Sequence, residues 1–455
     1  MADMRYTAKK MRMDCSAIFQ VTRFFRSLRP RLIFAISPVA LCLFHVTALR
    51  AQERVRTAAG RLQIESFKNP EALFTVGPLQ EELIASAGFD FTDNSSLSHT
   101  GKISRLRFFE GLTLDTIWVL SDLNQLEFSF GGQLNEDFYG NGQSVLSIGI
   151  TPDSLVQFQL AAGDFLFHFY DHFSYVQDPT SDPTTANTTY LNSLTNTIGA
   201  KVDADFNLAI LSLSADYTYN NRSGSNPQGG TSVGETGTRN SFRVGPSISF
   251  HLSPTILYGI DASLSRNTGS TNGSGVVGSG NINSLSVGPF IRGELSRFTD
   301  INFGVGALLL DAKPSQAPTC YFDAVVRHQF NPNLQLILLA SHDITFSTGT
   351  DLTEQYEFRG ATQFNVTRFI TFTTSPFVDI GKTLTGSSAT SVSGVFVPGT
   401  VLGNFKQYGI QAGFAWKPRR HLSASFNYEF IRRDAERAID SYSQNRITLQ
   451  INYIF

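Results

Sequence analysis

The stretch Arg446-Ile447-Thr448-Leu449-Gln450-Ile451-Asn452-Tyr453-Ile454-Phe455 sets apolar side chains at Ile447, Leu449, Ile451, Tyr453 and Phe455 against polar ones at Arg446, Thr448, Gln450 and Asn452. Successive side chains of a strand point to opposite faces, so this segment reads as a strand with one greasy face and one wet face. The same period recurs upstream. Leu106, Phe108, Leu112 and Leu114 alternate with Arg105, Arg107, Thr113 and Asp115, and Phe242, Val244, Ile248 and Phe250 with Ser241, Arg243, Ser247 and Ser249. Leu422, Ala424, Phe426 and Tyr428 alternate with Ser423, Ser425, Asn427 and Glu429. Period two persists from about residue 82 to the end.

The connections alternate as well. Tight turns are expected at Thr151-Pro152-Asp153, Ser253-Pro254, Arg297-Phe298-Thr299-Asp300, Asn331-Pro332-Asn333, Val366-Thr367-Arg368 and Lys417-Pro418-Arg419-Arg420. Long polar stretches rich in Gly, Ser, Thr and Asn lie between them, near 172–192, 221–239, 267–281 and 382–403. Short turns on one rim and long loops on the other describe an outer-membrane β-barrel. The spacing gives an all-β transmembrane antiparallel barrel of about 18 strands from 82–92 to 442–455, with 143–150 and 155–170 as separate strands and 16 as the alternative count. A sandwich does not need to pair two-residue turns with loops near twenty residues, and a propeller requires a blade repeat that is absent. Trp118 and Trp416 fall at turn-side strand ends, and Tyr170, Tyr175, Tyr217, Tyr219 and Tyr442 near the loop side, where two aromatic girdles are expected. A terminal strand that stops on an aromatic residue is read by the barrel-insertion machinery, so Ile451, Tyr453 and Phe455 are the expected insertion signal.

Residues 1–51 read as a signal peptide with a basic leader. Eight Lys and Arg side chains between Arg5 and Arg31 precede an apolar run from Leu32 to Val46, with Ala48 and Ala51 as the two cleavage points. That run is short for a membrane helix, which needs about twenty residues. A lipoprotein signal at Cys42 is disfavoured by Leu41, where a small residue is required. Residues 52–81 form a short periplasmic segment and 82–455 the barrel. The leader carries nine basic and two acidic side chains, so its removal moves the formal charge from −2 to −9, with 27 basic against 36 acidic groups. An acidic chain of this kind excludes nucleic acid as the natural partner. Cys320 alone remains after processing, which rules out an internal disulfide.

If the polar parity faces the lumen, the lining candidates are Arg105, Arg107, Asp115, Lys201, Asp203, Asp205, Arg243, Arg292, Glu294, Asp323, Arg327, Glu357, Arg359, Glu429 and Arg446. An Arg or Lys at mid-depth on the lipid face would cost roughly 2–4 kcal/mol. Opposed charges across a lumen set a transverse field and a preference among solutes; alternatively they pair and fill it. Asp203 and Asp205 share a face at a spacing that suits a glycosidase pair, but any two acidic neighbours on one face of a strand share it. His168 and His172 would stand about 13 Å apart on a strand, a poor metal site. No nucleophile elbow, zincin helix, P-loop or paired-Cys motif is present. Neither an enzyme nor a cofactor is expected.

The segment Val76-Gly77-Pro78-Leu79, followed by Ala85-Ser86-Ala87-Gly88-Phe89-Asp90-Phe91-Thr92-Asp93-Asn94, resembles the opening of the β-barrel porin 2 family. The likeness covers these roughly twenty residues and the aromatic terminus. It implies an outer-membrane barrel of unassigned substrate, some similar proteins being linked to exopolysaccharide production and export. The expectation is a porin-like channel in the outer membrane of a diderm bacterium, with outer-membrane lipid, the insertion machinery, and small polar solutes or a polysaccharide as partners. A non-conducting docking barrel is the alternative, and an outer-membrane barrel enzyme a remote third. No strand is conspicuously less lipid-like than its neighbours, so a monomer is the default.

Overall fold

The computed structural model describes residues 74–455 apart from 122, 153, 178–190, 225–236, 274–275, 312–318, 347–351, 384–402 and 437. The leader and most of the expected periplasmic segment lie outside the described residues, as do most of the long loops. The strands are β1 (Phe74–Val76), β2 (Leu79–Thr92), β3 (Arg105–Ser121), β4 (Asn124–Tyr139), β5 (Ser144–Ile150), β6 (Leu155–Ala162), β7 (Phe165–Gln177), β8 (Leu191–Asp205), β9 (Ala209–Gly224) and β10 (Gly237–Ser253). They continue as β11 (Ile256–Gly273), β12 (Val276–Ser296), β13 (Thr299–Asp311), β14 (Thr319–Asn331), β15 (Leu334–Phe346), β16 (Leu352–Thr367), β17 (Ile370–Thr383), β18 (Asn404–Arg419), β19 (Leu422–Ala435) and β20 (Tyr442–Ile454). Consecutive strands pair antiparallel, except that β5 and β6 both pair with β4 and not with each other, and β2 pairs with β20, from Ile84 with Ile454 to Thr92 with Arg446. The sheet is therefore closed and leaves no open edge strand, as lipid requires.

The closed wall has 18 strands. β1 is a three-residue flap paired only to the start of β2, which itself begins at Leu79, inside the segment expected to precede the barrel. β5 and β6 are two halves of one strand, because both pair with β4, through Gly132–Phe138 and Asn124–Ser129 respectively. The expected turn at Thr151-Pro152-Asp153 is thus a break within a strand. Pro152 cannot donate to a ladder, and Ser154 mends the gap by accepting from the Gly131 amide at 3.0 Å. The true reversal is at Gly163, whose φ of +63° suits a tight turn, and it divides the expected strand 155–170 into β6 and β7. Separating β5 from β6 and joining β6 to β7 offset each other, so the expected count of 18 agrees with the wall.

One local rule builds the short-turn rim. Ser121, Asp205, Ser253, Ser296, Asn331 and Thr367 each stand at the last strand position, and each side-chain oxygen accepts the backbone N–H two residues on, at 2.7–3.3 Å. These are Asx and Ser/Thr turns. Register shifts beside five of the six show the bulge that gives such hairpins their twist.

The outer wall is apolar. Phe128, Phe130, Phe242, Phe372 and Phe414 are exposed along it, with Trp118 and Trp416 exposed near the turn rim. Two expected girdle residues face the other way. Tyr442 is buried inside the barrel. Tyr170 lies on the inner parity over Gly199 of β8, between the rings of His168 and His172 at 5.4 and 5.5 Å. A Cβ at position 199 would stand only 2.3 Å from the tyrosine Cζ, so glycine there makes room for an aromatic side chain lying against the wall.

Candidate functional site

The inside of the barrel divides into a filled sector and an open one. The filled sector spans β17 to β20 and β2 to β4. Asp90 on β2 accepts from Arg105 Nη2 at 3.2 Å, from Arg446 Nε at 2.5 Å and from Thr448 Oγ1 at 2.8 Å. Asp137 on β4 takes a two-pronged bond from Arg107, Nε at 2.7 Å and Nη2 at 3.0 Å, with Arg105 Nε at 3.7 Å. Arg105, Arg107, Asp90 and Asp137 are all buried. Buried charges persist only when paired and hydrogen-bonded in this way. Arg433, also buried, lies 4.0 Å over the ring of Phe405.

Above this network, residues 93–104 fold inward. Asn94 and Ser95 are wholly buried, and Leu97, 1% exposed, packs with Phe377, Ile431 and Tyr442 from β17, β19 and β20. Leu97 has a φ of +48°, a left-handed conformation that costs a non-glycine residue about 1–2 kcal/mol. The segment is tied at both ends. Asp93 accepts from the Asn445 amide and side chain at 2.8 and 2.7 Å, and Asn94 Nδ2 donates to Ser443 O at 2.9 Å. Gln444 Nε2 donates to Asn94 O at 2.9 Å, and Lys102 Nζ to Ser443 Oγ at 2.8 Å.

The open sector is a cavity of about 950 Å³ on the inner faces of β9 to β16. Arg239 and Arg243 on β10 and Arg292 on β12 line one side; Asp323 and Arg327 on β14, Asp343 on β15 and Glu357 on β16 line the other, with Asp261 between. Arg243 Nε donates to Ser263 Oγ at 2.8 Å, and its charge interacts with Asp216 and Asp343. Tyr321 on β14 reaches Asp261 on β11, donating at 3.3 Å across a corner of the wall. Beside the charges, Leu308, Leu310, Val325, Ile337 and Leu339 form an apolar strip on the same cavity wall.

The sequence candidates divide between these sectors. Arg105, Arg107 and Arg446 belong to the filled network, and Glu429 joins its edge by accepting from Gln411 at 2.5 Å. Arg243, Arg292, Asp323, Arg327 and Glu357 line the cavity; Arg327 stands 3.7 Å from Asp300, and Arg359 contacts Glu357 and lies 5.1 Å from the Phe377 ring. Asp115 accepts from Ser129. Glu294 is exposed near the turn rim, opposite Asp300 in register. Lys201 and Asp203 form an ion pair at 3.0 Å, and Asp203 also accepts from Ser212, whereas Asp205 is spent on its turn. The Asp203 and Asp205 carboxylates therefore do different jobs. Missed by sequence reasoning were Asp90, Asp137, Arg239, Asp261, Tyr321, Asp343 and the inward segment. Parity continued along each strand reaches all of these except the segment.

No family model and no curated protein matches the chain. Among solved structures it is similar to Pseudomonas aeruginosa OccK7 (OpdD), with a TM-score of 0.46 and 8% identity over 84% of this chain and 99% of that one. It is similar to OprD from the same organism, at 0.44 and 11% over 86% and 99%, and to the siderophore receptor PirA, at 0.42 and 8% over 82% and 80%. These values are too low to bear on solute or partner. The closed 18-strand sheet, with its apolar outer face, is what makes this chain a transmembrane β-barrel of the outer-membrane type.

Proposed function

We propose that the barrel is a passive channel for small polar solutes across the outer membrane, with the path running along the inner faces of β9 to β16. The observation that carries this reading is the cavity there, lined by Arg239, Arg243, Arg292 and Arg327 together with Asp261, Asp323, Asp343 and Glu357. A lumen this size in an 18-strand barrel leaves room for water and solute, and opposed charge orients a dipolar or ionic solute as it passes. Residues 93–104 act as a fixed constriction, taking the β17 to β20 side out of the path. Arg105 and Arg107 hold that side together and do not meet the solute. The resemblance to the β-barrel porin 2 family makes an extended polysaccharide chain the second solute class, and the serines and Asn267 along the cavity suit hydroxyl groups. Assembly through the insertion machinery, read at Ile451, Tyr453 and Phe455, belongs to the same proposal.

Proteoliposome swelling tests it. Vesicles carrying the barrel swell in small amino acids, mono- and disaccharides, more slowly as solute size rises. Vesicles that stay osmotically tight with folded barrel in them contradict the channel. That outcome favours the second reading, a docking barrel, for which the filled half of the lumen is the specific support.

A further inference from the structure

The inner face of β7 carries three rings in a row. His168, Tyr170 and His172 occupy alternate positions there, half-buried, with ring centroids 5.4 and 5.5 Å apart. Tyr170 reaches across β8, since a Cβ at Gly199 would stand 2.4 Å from its Oη, and its hydroxyl end is directed toward β9. His168 Nε2 lies 3.0 Å from Gln157 Oε1 on β6, and Gln157 Nε2 donates to Glu127. The amide oxygen of Gln157 is thus the acceptor, which orients the imidazole.

Polar groups continue these rows toward the cavity. Tyr170 pairs with Gly199, Gly199 with Asp216 on β9, and Asp216 with Arg243 on β10. Asp216 and Arg243 are the charges that act on Tyr170. In the next row His172 pairs with Thr197, Thr197 with Thr218, and Thr218 with Ser241, the two threonine hydroxyls standing 3.0 Å apart. Both rows end at the open sector, because Ser241 and Arg243 line its cavity.

What such a surface binds follows from its chemistry. The C–H face of a sugar ring is apolar and contacts aromatic rings through its C–H groups, while its rim carries hydroxyls that each donate and accept. Here the rings stand beside a carboxylate, which only accepts, a guanidinium, which only donates, and a pair of threonine hydroxyls. An anionic solute meets Asp216, a cationic one meets Arg243, and a hydrocarbon desolvates both without compensation. A neutral sugar satisfies them all.

We propose that His168, Tyr170 and His172, with Asp216 and Arg243, form a binding site for a neutral oligosaccharide. One sugar lies on Tyr170 with its hydroxyls on Asp216 and Arg243, and the next lies on a flanking histidine. The inference deepens the channel reading and rests on it for the solute's access, although binding itself needs no conduction. Because the rings follow one another along β7, an extended chain touches more than one of them and binds more tightly than a single sugar.

Isothermal titration of the full chain, extracted from outer membranes in mild detergent, with glucose, maltotetraose and cellotetraose tests this. Heat-modifiable gel migration reports folding, and planar-bilayer current is recorded on the same preparation. At least one tetrasaccharide is expected to bind, more tightly than glucose. Tyr170→Ala lowers its affinity roughly ten-fold, as loss of an aromatic anchor does. Tyr170→Phe, which keeps the ring over Gly199, stays within a few-fold of wild type, and Asp216→Asn weakens binding several-fold. No binding of either tetrasaccharide by folded wild-type barrel overturns the inference, and so does affinity indifferent to Tyr170→Ala, which reduces the ring to wall packing. If Tyr170→Ala does not fold, unchanged affinity in Asp216→Asn overturns it instead. Open current without sugar binding removes the site and leaves the channel standing, whereas sugar bound by an electrically silent barrel keeps the site and removes the channel.

Discussion

Asp90 on the first barrel strand and Arg446 on the last are joined at 2.5 Å, Arg446 Nε to Asp90 Oδ2, directly across the seam that closes the sheet. The carboxylate is buried and shared with Arg105 and Thr448. Cutting one member from a buried ionic site leaves its partners charged without compensation, at about 3–5 kcal/mol. Asp90→Ala is therefore expected to lower the urea midpoint of unfolding markedly. Asp115→Ala, which among the described residues removes the hydrogen-bond acceptor of Ser129 alone, should cost far less. Equal midpoints for the two variants would remove the seam from the account.

Leu97 holds the constriction by burying one apolar side chain among three, against the cost of its left-handed backbone. Truncating a buried leucine to alanine costs about 2–5 kcal/mol, enough to free the segment while leaving the barrel closed. Leu97→Ala is expected to raise single-channel conductance and current noise while lowering the unfolding midpoint no more than Asp90→Ala does. Leu97→Gly also relieves the strain, yet it loses the same packing, so it should resemble the alanine variant. Unchanged current in both would mean that residues 93–104 lie outside the path.

The arginines of the open sector set ion preference. Arg243→Glu with Arg292→Glu should shift the reversal potential toward cation selectivity in 0.1 M salt, where charges act over about 10 Å. The shift should shrink in 1 M salt, where that reach is about 3 Å. The same reversal at Arg105 and Arg107 is expected to disrupt folding, since both are bound into the buried network. Selectivity untouched by Arg243 and Arg292 would move the path elsewhere.

Phe455 separates stability from assembly. The Phe455 amide donates to Leu83 O at 2.8 Å, a backbone bond that any residue makes, while its ring stacks edge-on with Tyr453 at 4.8 Å on the outer wall. Phe455→Ala is expected to leave the unfolding midpoint of purified barrel nearly unchanged and to lower the amount assembled in the outer membrane several-fold. Equal losses in both would reduce Phe455 to a packing residue.

The alternation of apolar and polar residues made the strands legible, because lipid outside and water inside impose period two on every segment. The rim turns were legible for a local reason: Ser, Thr, Asn or Asp accepts the amide two residues on. Three features were hidden. The break at Thr151 to Ser154 has the residues of a turn, Pro152 included, and only pairing of both halves with β4 identifies it. Tyr442 and Tyr170 stand at the right height for a girdle but on the wrong parity. Residues 93–104 are polar but for Leu97 and Ile103, so nothing local marks them as buried; their placement depends on Ser443, Gln444 and Asn445, some 350 residues away. The charges could be assigned a face, but which of them pair was set by strand neighbours that the count alone does not supply.

Single-channel recording of the barrel extracted from membranes, in a planar bilayer at 0.1 M salt, tests the central claim most directly. Stable open current that rises in Leu97→Ala and shifts toward cations in Arg243→Glu with Arg292→Glu is the predicted result. Electrical silence from a barrel shown to be folded and inserted, with both variants equally silent, would contradict it.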